Sequence, residues 1–292
     1  MKELLFDQLS SRLARSAQES REASDVLFDI AISCKADGFI VGEHFDGQFW
    51  GMDALQTLVP LAVKRRPQGF TLGTGSILSR FHDGAEIIRR AAALMSAFGG
   101  EWEFGIGNGY GGVSENQNFS IPQSRQLTRS ECGWETEKFG YPMDELELCF
   151  RKDSFSPPAS EERWCYPGFI RPPSSEVISI ARQRKGESSV ALRCLWQDDT
   201  DILRQEIESL IGAKDWMQSG NNVFESVISG KKTIYAEILF KKLGIVIASP
   251  SVRREFVRKT YKDSFDRIFV CPVATSLERY FSCSKSLLKE GR

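Results

Sequence analysis

A (β/α)8 barrel is the fold class this 292-residue sequence predicts, with a doubly wound open sheet as the alternative. Three observations predict it. Short apolar runs of strand length alternate with helix-length amphipathic segments from the start of the chain. The early runs are apolar at consecutive positions, as in parallel strands covered on both faces. Eight strand candidates follow in series: Leu4 to Asp7, Phe39 to Val41, Phe70 to Thr74, Trp102 to Ile106, Val177 to Ala181, Ala191 to Trp196, Ile234 to Phe240 and Ile268 to Cys271.

The first helix is predicted from Ser24, an N-cap residue type, with Val26, Leu27, Ile30, Ala31 and Cys34 at helical spacing and Asp37-Gly38 as its stop. A second apolar helix carries Ala54, Leu55, Leu58, Leu61 and Ala62. The third opens on a capping box, Asp83 with Glu86 three residues on, places Ile87, Ile88, Ala91, Leu94, Met95 and Phe98 on one face, and ends at Gly99-Gly100. Leu55, Leu58, Leu61, Ile87, Ala91 and Leu94 suit either barrel packing or a homodimer or heterodimer surface. After the fourth strand, five glycines between Gly105 and Gly112 permit turns and close backbone approach to a bound group. Pro157-Pro158, Pro167-Gly168 and Pro172-Pro173 mark an excursion at about 153–174, irregular or a small hairpin. Helices are predicted again over Asp201 to Ile211 and Ser276 to Leu288. No repeat interrupts the series, so residues 1–292 are expected to form a single barrel domain.

Composition narrows the function classes. At 41% hydrophobic and 26% charged the chain is an ordinary globular one, without a run of about 18 apolar residues and with charge at Lys2, Glu3 and Asp7. A cytoplasmic location without membrane attachment is expected. Thirty-eight basic residues against 39 acidic ones give no field to attract a polyanion, so no nucleic-acid partner is expected. The seven cysteines include no C-x-x-C pair and read as small buried hydrophobes. Only His44 and His82 supply imidazoles, too few for a multi-histidine metal site, so redox chemistry would need a borrowed organic cofactor.

A barrel would place chemistry just beyond the C-terminal ends of its strands. Those positions hold Glu43-His44-Phe45, Gly73-Thr74-Gly75-Ser76, Gly107-Asn108-Gly109-Tyr110, Arg182-Gln183-Arg184-Lys185-Gly186 and Pro272. One imidazole, two glycine-lined gaps and a cationic loop suit a planar cofactor with a phosphate tail. Each feature has a plainer reading. His44 alone is more often a hydrogen-bonded loop residue than a catalytic one, and the arginine cluster more often a solvated face. Gly107, Gly109 and Gly112 match G-x-G-x-x-G, but Ser114 to Pro122 reads as loop where a dinucleotide site needs a helix. Phe45 and Trp50 form an apolar substrate wall or simply pack their loop. His82 is assigned no role.

The stretch Ala36-Asp37-Gly38-Phe39-Ile40-Val41-Gly42-Glu43-His44-Phe45, then Leu72-Gly73-Thr74-Gly75, Ala85-Glu86 and Phe104-Gly105-Ile106-Gly107-Asn108-Gly109-Tyr110, is similar in order and spacing to the bacterial luciferase-like flavin monooxygenases. Ala248-Ser249-Pro250 and Phe265 to Val270 resemble the last turn, helix and strand of that family. The resemblance implies a barrel that binds reduced FMN delivered by a separate flavin reductase and, with molecular oxygen, forms a flavin C4a-hydroperoxide. Its substrate would be a small organic molecule or a carrier-protein-bound intermediate. It carries the catalytic histidine onto His44, with Glu43 beside it, and cofactor contacts onto Gly75, Ser76, Gly107, Asn108, Gly109 and Tyr110. A cis non-proline peptide would fall at Gly75-Ser76. The family's phosphate-binding loop maps onto Arg182, Arg184 and Ser188.

The sequence departs from that pattern where a second histidine is replaced by Phe45 and a frequent arginine by Asn108. It is also shorter than the usual member, which implies a barrel compact or partly truncated between its fifth and eighth strands. Two further readings follow from the resemblance: a non-catalytic flavin-binding homologue or partner subunit, and a deazaflavin-dependent oxidoreductase.

Overall fold

The structure, a computed structural model of the chain, describes residues 1–43, 53–78, 82–107, 148–149, 164–166, 168, 173–185, 187–211, 245–261 and 263–289. The strands are β1 (Lys2–Asp7), β2 (Gly38–Val41), β3 (Thr71–Leu78), β4 (Glu101–Gly107), β5 (Leu148–Cys149), β6 (Trp164–Tyr166), β7 (Ser188–Leu195), β8 (Ile245–Ile247) and β9 (Arg267–Pro272). The helices are α1 (Ser10–Leu13), α2 (Ala17–Ser33), α3 (Ala54–Ala62), α4 (Gly84–Phe98), α5 (Ser175–Gln183), α6 (Thr200–Ile211), α7 (Pro250–Tyr261) and α8 (Leu277–Leu288). Every strand pair is parallel, in the order β5-β4-β3-β2-β1-β9-β7-β6 with β8 also on β7.

A salt bridge proves the curl of this sheet. Arg267 on β9 reaches Glu103 on β4 at 2.5 and 3.2 Å, although β1, β2 and β3 lie between them in the sheet. Four strand spacings of a flat sheet span about 19 Å, beyond the reach of the two side chains. The strands must therefore wrap around a lumen. The strand order departs from a sequential barrel at one place. β6 and then β8 share one edge of β7, while β9 takes the other, so β9 joins β7 rather than its sequence neighbour β8.

Three apolar clusters follow from this geometry. Leu4, Phe6, Ile40, Ala191, Phe269 and Cys271 fill the lumen, with Phe6 edge-on to Phe269 at 6.2 Å. On the outside, Leu5, Phe39, Val41, Leu72 and Phe104 pack beneath Leu27, Leu58, Ile87 and Ala91 of α2, α3 and α4. Val190, Leu192, Ile268 and Val270 pack beneath α6, α7 and α8 through Leu203, Phe256 and Leu287. The six residues that also suited a dimer surface are all buried within the subunit.

Two element readings are corrected. Ser24 does not start a helix: α2 begins eight residues earlier, where Ser16 accepts the Glu19 N–H at 3.0 Å, and Ser24 lies buried in mid-helix. Its hydroxyl donates to Asp7 at 2.7 Å, beside Ser10 Oγ at 2.7 Å and the Tyr280 hydroxyl at 3.4 Å. Burial raises the Asp7 pKa and these bonds oppose the rise. The predicted strand Val177 to Ala181 is instead the middle of α5, capped by Ser174. Val177, Ile178 and Ile180 still pack on the core, so the apolar run was real and only its period was misread. Within the proline-rich excursion, Trp164 to Tyr166 form β6. The expected strand at Ile234 to Phe240 lies outside the described residues, and β8 was missed. The Asp83 cap, the Gly99-Gly100 stop at φ 54° and 84°, and the last helix stand as read.

Candidate functional site

The mouth of the lumen is organised around Glu43, the residue two beyond the end of β2. Its carboxylate has no solvent exposure and accepts the Leu78 N–H at 2.6 Å and the Ala54 N–H at 3.4 Å. His82 Nε2 donates to its two oxygens at 2.9 and 3.1 Å. One carboxylate thus ties together the end of β3, the first turn of α3 and the segment entering α4. The N–H groups at a helix start favour an anion there. Next to this pair, Asp53 caps α3 through the Gln56 N–H at 3.0 Å and takes a two-pronged contact from Arg90 at 2.7 and 2.9 Å.

The charges order themselves accordingly. The hydrogen bond to Glu43 raises the His82 pKa above 6.5 against the opposing effect of burial, with the charges of Glu43 and Asp53 adding to the rise. For Asp53, burial pushes upward, but the hydrogen bonds from Arg90 and Gln56 and the charges of Arg90 and His82 hold it below the usual carboxylate value.

Of the residues singled out in the sequence, Glu43, Gly75, Ser76 and Gly107 lie at this end of the strands. Gly75 faces the lumen: a β-carbon there would come within 2.7 Å of Ile40 Cγ2 and 3.2 Å of Phe6 Cζ. Ser76 occupies the register shift between Gly75 and Ile77, and Gly107 ends β4 opposite Leu78. His44, Phe45, Trp50, Asn108, Gly109 and Tyr110 lie outside the described residues.

Arg182, Arg184 and Ser188 are not brought to the mouth. Because α5 is a helix, Arg182 and Arg184 end that helix and Ser188 opens β7, at the opposite end of the barrel. There the Ser188 N–H donates to Asp266 at 2.9 Å, just ahead of β9. The expected phosphate role for these three residues is withdrawn.

Two residues that the sequence reading passed over belong to the site. His82 is one. The other is Arg193, which shares the lumen face of β7 with Ser189 and Ala191 and lies opposite Cys271 of β9. A lone arginine on alternate positions of the run Ser188 to Leu195 was the available signal.

No protein-family model matches the chain, and no curated protein matches it in sequence. Solved structures do match. The monooxygenase RslO1 from Streptomyces bottropensis superposes with a TM-score of 0.63 at 15% identity, over 99% of this chain and 98% of that one. The oxygenating constituent of 3,6-diketocamphane monooxygenase from the CAM plasmid of Pseudomonas putida, a type II Baeyer-Villiger monooxygenase in complex with FMN, gives 0.59 at 13% identity over 99% and 98%. The fold is that of the luciferase-like flavin monooxygenases. Such a luciferase-like barrel also serves an F420-dependent secondary alcohol dehydrogenase, which matches with a TM-score of 0.51 at 10% identity over 98% of this chain and 97% of that one.

This luciferase-like barrel fits a flat ligand at its mouth. On the β3 and β4 wall Gly73 and Gly105 let the two strands approach closely and Gly75 makes room for Ile40 and Phe6, Phe6 and Phe269 supply an apolar floor, and Arg193 stands on β7 opposite Cys271 of β9. No membrane-spanning helix and no cluster of metal-ligating side chains occur among the described residues.

Proposed function

We propose that the chain is a flavin-dependent monooxygenase that takes reduced FMN from a separate reductase and uses molecular oxygen to oxygenate a small organic or carrier-bound substrate. The observation that carries this reading is the apolar lumen below the Glu43–His82 pair in a barrel that matches an FMN-bound oxygenase over nearly its whole length. Reduced FMN, when bound, supplies the electrons that activate oxygen.

The chain's own residues divide the remaining work. Glu43, locked by three donors, fixes the backbone from which His44 departs. His44 serves as general base or hydrogen-bond donor to the reacting oxygen. Gly75, Ser76, Gly107, Asn108, Gly109 and Tyr110 line the ring's side of the mouth, and Phe45 and Trp50 wall the substrate and exclude water. His82 is a positioning residue that acts through Glu43.

Titration with oxidised FMN, photoreduced FMN and F420, followed by oxygen uptake with FMN, NADH and a flavin reductase, tests the proposal. Binding of reduced FMN with oxygen uptake that His44→Ala alters supports it. Tight flavin binding without oxygen chemistry supports the non-catalytic reading, and preference for F420 the deazaflavin one.

A further inference from the structure

Successive residues of β1 face opposite ways. Glu3, Leu5 and Asp7 face the helices, where Glu3 pairs with Arg253 of α7, Leu5 packs in the outer cluster and Asp7 takes the Ser24 hydroxyl of α2. Leu4 and Phe6 face the lumen. Gln8, just beyond the strand, is the next step of that lumen row. The ladder extends this far, because the Gly42 N–H donates to the Asp7 carbonyl at 2.9 Å. Continuing the two registers sets Gln8 between Gly42 beyond β2, which has no side chain, and Val273 beyond β9, which is apolar.

Gln8 is 9% exposed, and among the described residues its side-chain amide has no hydrogen-bond partner. The bond it makes runs from its main chain, N–H to Tyr280 Oη at 3.3 Å. Buried amides are ordinarily satisfied. Gln197, just beyond β7, donates to the Arg279 carbonyl at 3.0 Å and accepts the Ser282 hydroxyl at 2.7 Å. Arg253 Nε and Nη1 and the Tyr261 hydroxyl also go without partners among the described residues, but they are closed off on the helix side of the sheet, whereas the Gln8 amide keeps accessible surface. The backbone beneath it is held firmly. Tyr280 Oη also accepts the Leu9 N–H and donates to Asp7, each at 3.4 Å, and Asp7 is held by the Ser10 and Ser24 hydroxyls at 2.7 Å. A pre-positioned amide discriminates, because a ligand without the matching oxygen leaves it unpaired.

We propose, on the monooxygenase reading above, that Gln8 is a specificity-determining residue whose amide N–H donates to an uncharged oxygen, carbonyl or hydroxyl, of a substrate lying with its apolar body over Phe6 and Phe269. The amide carries no charge to offset the desolvation of an ionised group, so the group it selects is neutral.

The test uses acetophenone and ethylbenzene, which share a ring and a two-carbon arm and differ in the ketone oxygen. Their affinities are measured by saturation-transfer NMR, with FMN present, in the native chain and in Gln8→Met, which keeps the length of the side chain and loses the amide. The ratio of acetophenone to ethylbenzene affinity should fall about threefold to tenfold in the variant, with ethylbenzene and FMN affinities unchanged. Should Gln8→Met fail to fold, judged by its circular dichroism, Gln8→Asn, whose shorter amide falls short of the ligand, should lower the same ratio. An unchanged ratio overturns the proposal, as does a native chain that binds FMN and neither probe. A fall in FMN affinity with the ratio intact also overturns it, by assigning the amide to the cofactor. If the native chain binds no flavin in either oxidation state, the monooxygenase reading falls and takes this assignment with it.

Discussion

His82 Nε2 lies 2.9 Å from Oε1 of Glu43, so the imidazole that the sequence left without a role is bonded to the carboxylate beside the predicted catalytic histidine. Thirty-nine residues separate them in the chain. The contact closes the gap between the end of β2 and the entry to α4, and it stabilises the protonated imidazole.

The first prediction concerns pH. His82 has a raised pKa in the folded state, so its contribution to stability is complete below the unfolded value of 6.5 and is lost as pH rises through the folded value. The difference in Tm between the native chain and His82→Gln should be largest near pH 6 and shrink toward about pH 9. A difference that grows with pH would show that His82 is neutral against Glu43.

Second, the lumen salt bridge should be expensive to break from one side. Arg267→Met leaves Glu103 charged in the interior and should cost about 3–5 kcal/mol in urea unfolding. Adding Glu103→Leu should recover most of the loss. If both changes together cost as much as the sum of the single ones, the pair does not act as a unit.

Third, two lumen glycines should differ. A β-carbon at Gly73 would sit 1.9 Å from the Glu103 carbonyl oxygen, which is backbone of the paired strand, whereas at Gly75 it meets side chains at 2.7 and 3.2 Å. Gly73→Ala should prevent β3 and β4 from pairing and yield insoluble protein. Gly75→Ala should fold with a loss of about 1–3 kcal/mol, measured by thermal melting.

Fourth, the two serines of α2 should rank against the sequence reading. Ser16→Ala removes a cap and should cost about 1 kcal/mol. Ser24→Ala takes a buried donor from the Asp7 carboxylate and should cost about 1–3 kcal/mol. Equal urea midpoints for Ser24→Ala and the native chain would remove that hydroxyl from the anchoring of α2 on β1.

The strands at Leu4 to Asp7, Phe39 to Val41, Trp102 to Ile106 and Ile268 to Cys271 were legible because local hydrophobicity and nearby glycines and caps mark them within a few residues. So were α4, through Asp83 and Glu86, and Glu43 as a mouth residue. The run Val177 to Ala181 was not, because five apolar residues satisfy a strand and a helix alike. The signal that decides it lay just outside, in Ser174 and Glu176 after two prolines. Ser16 with Glu19 likewise spelled the true start of α2.

Periodicity, caps and motif order therefore carried most of the strand and helix series and the place of Glu43 just beyond β2, because those features act between residues close in the chain. The partners of His82, the pairing of Arg267 with Glu103, the displacement of Arg182 and Arg184 to the far end, and the lumen position of Arg193 were decided only by the folded chain. Each depends on how strands tilt and stagger around a curled sheet, which brings residues from distant segments within about 3 Å of each other and which no local pattern encodes.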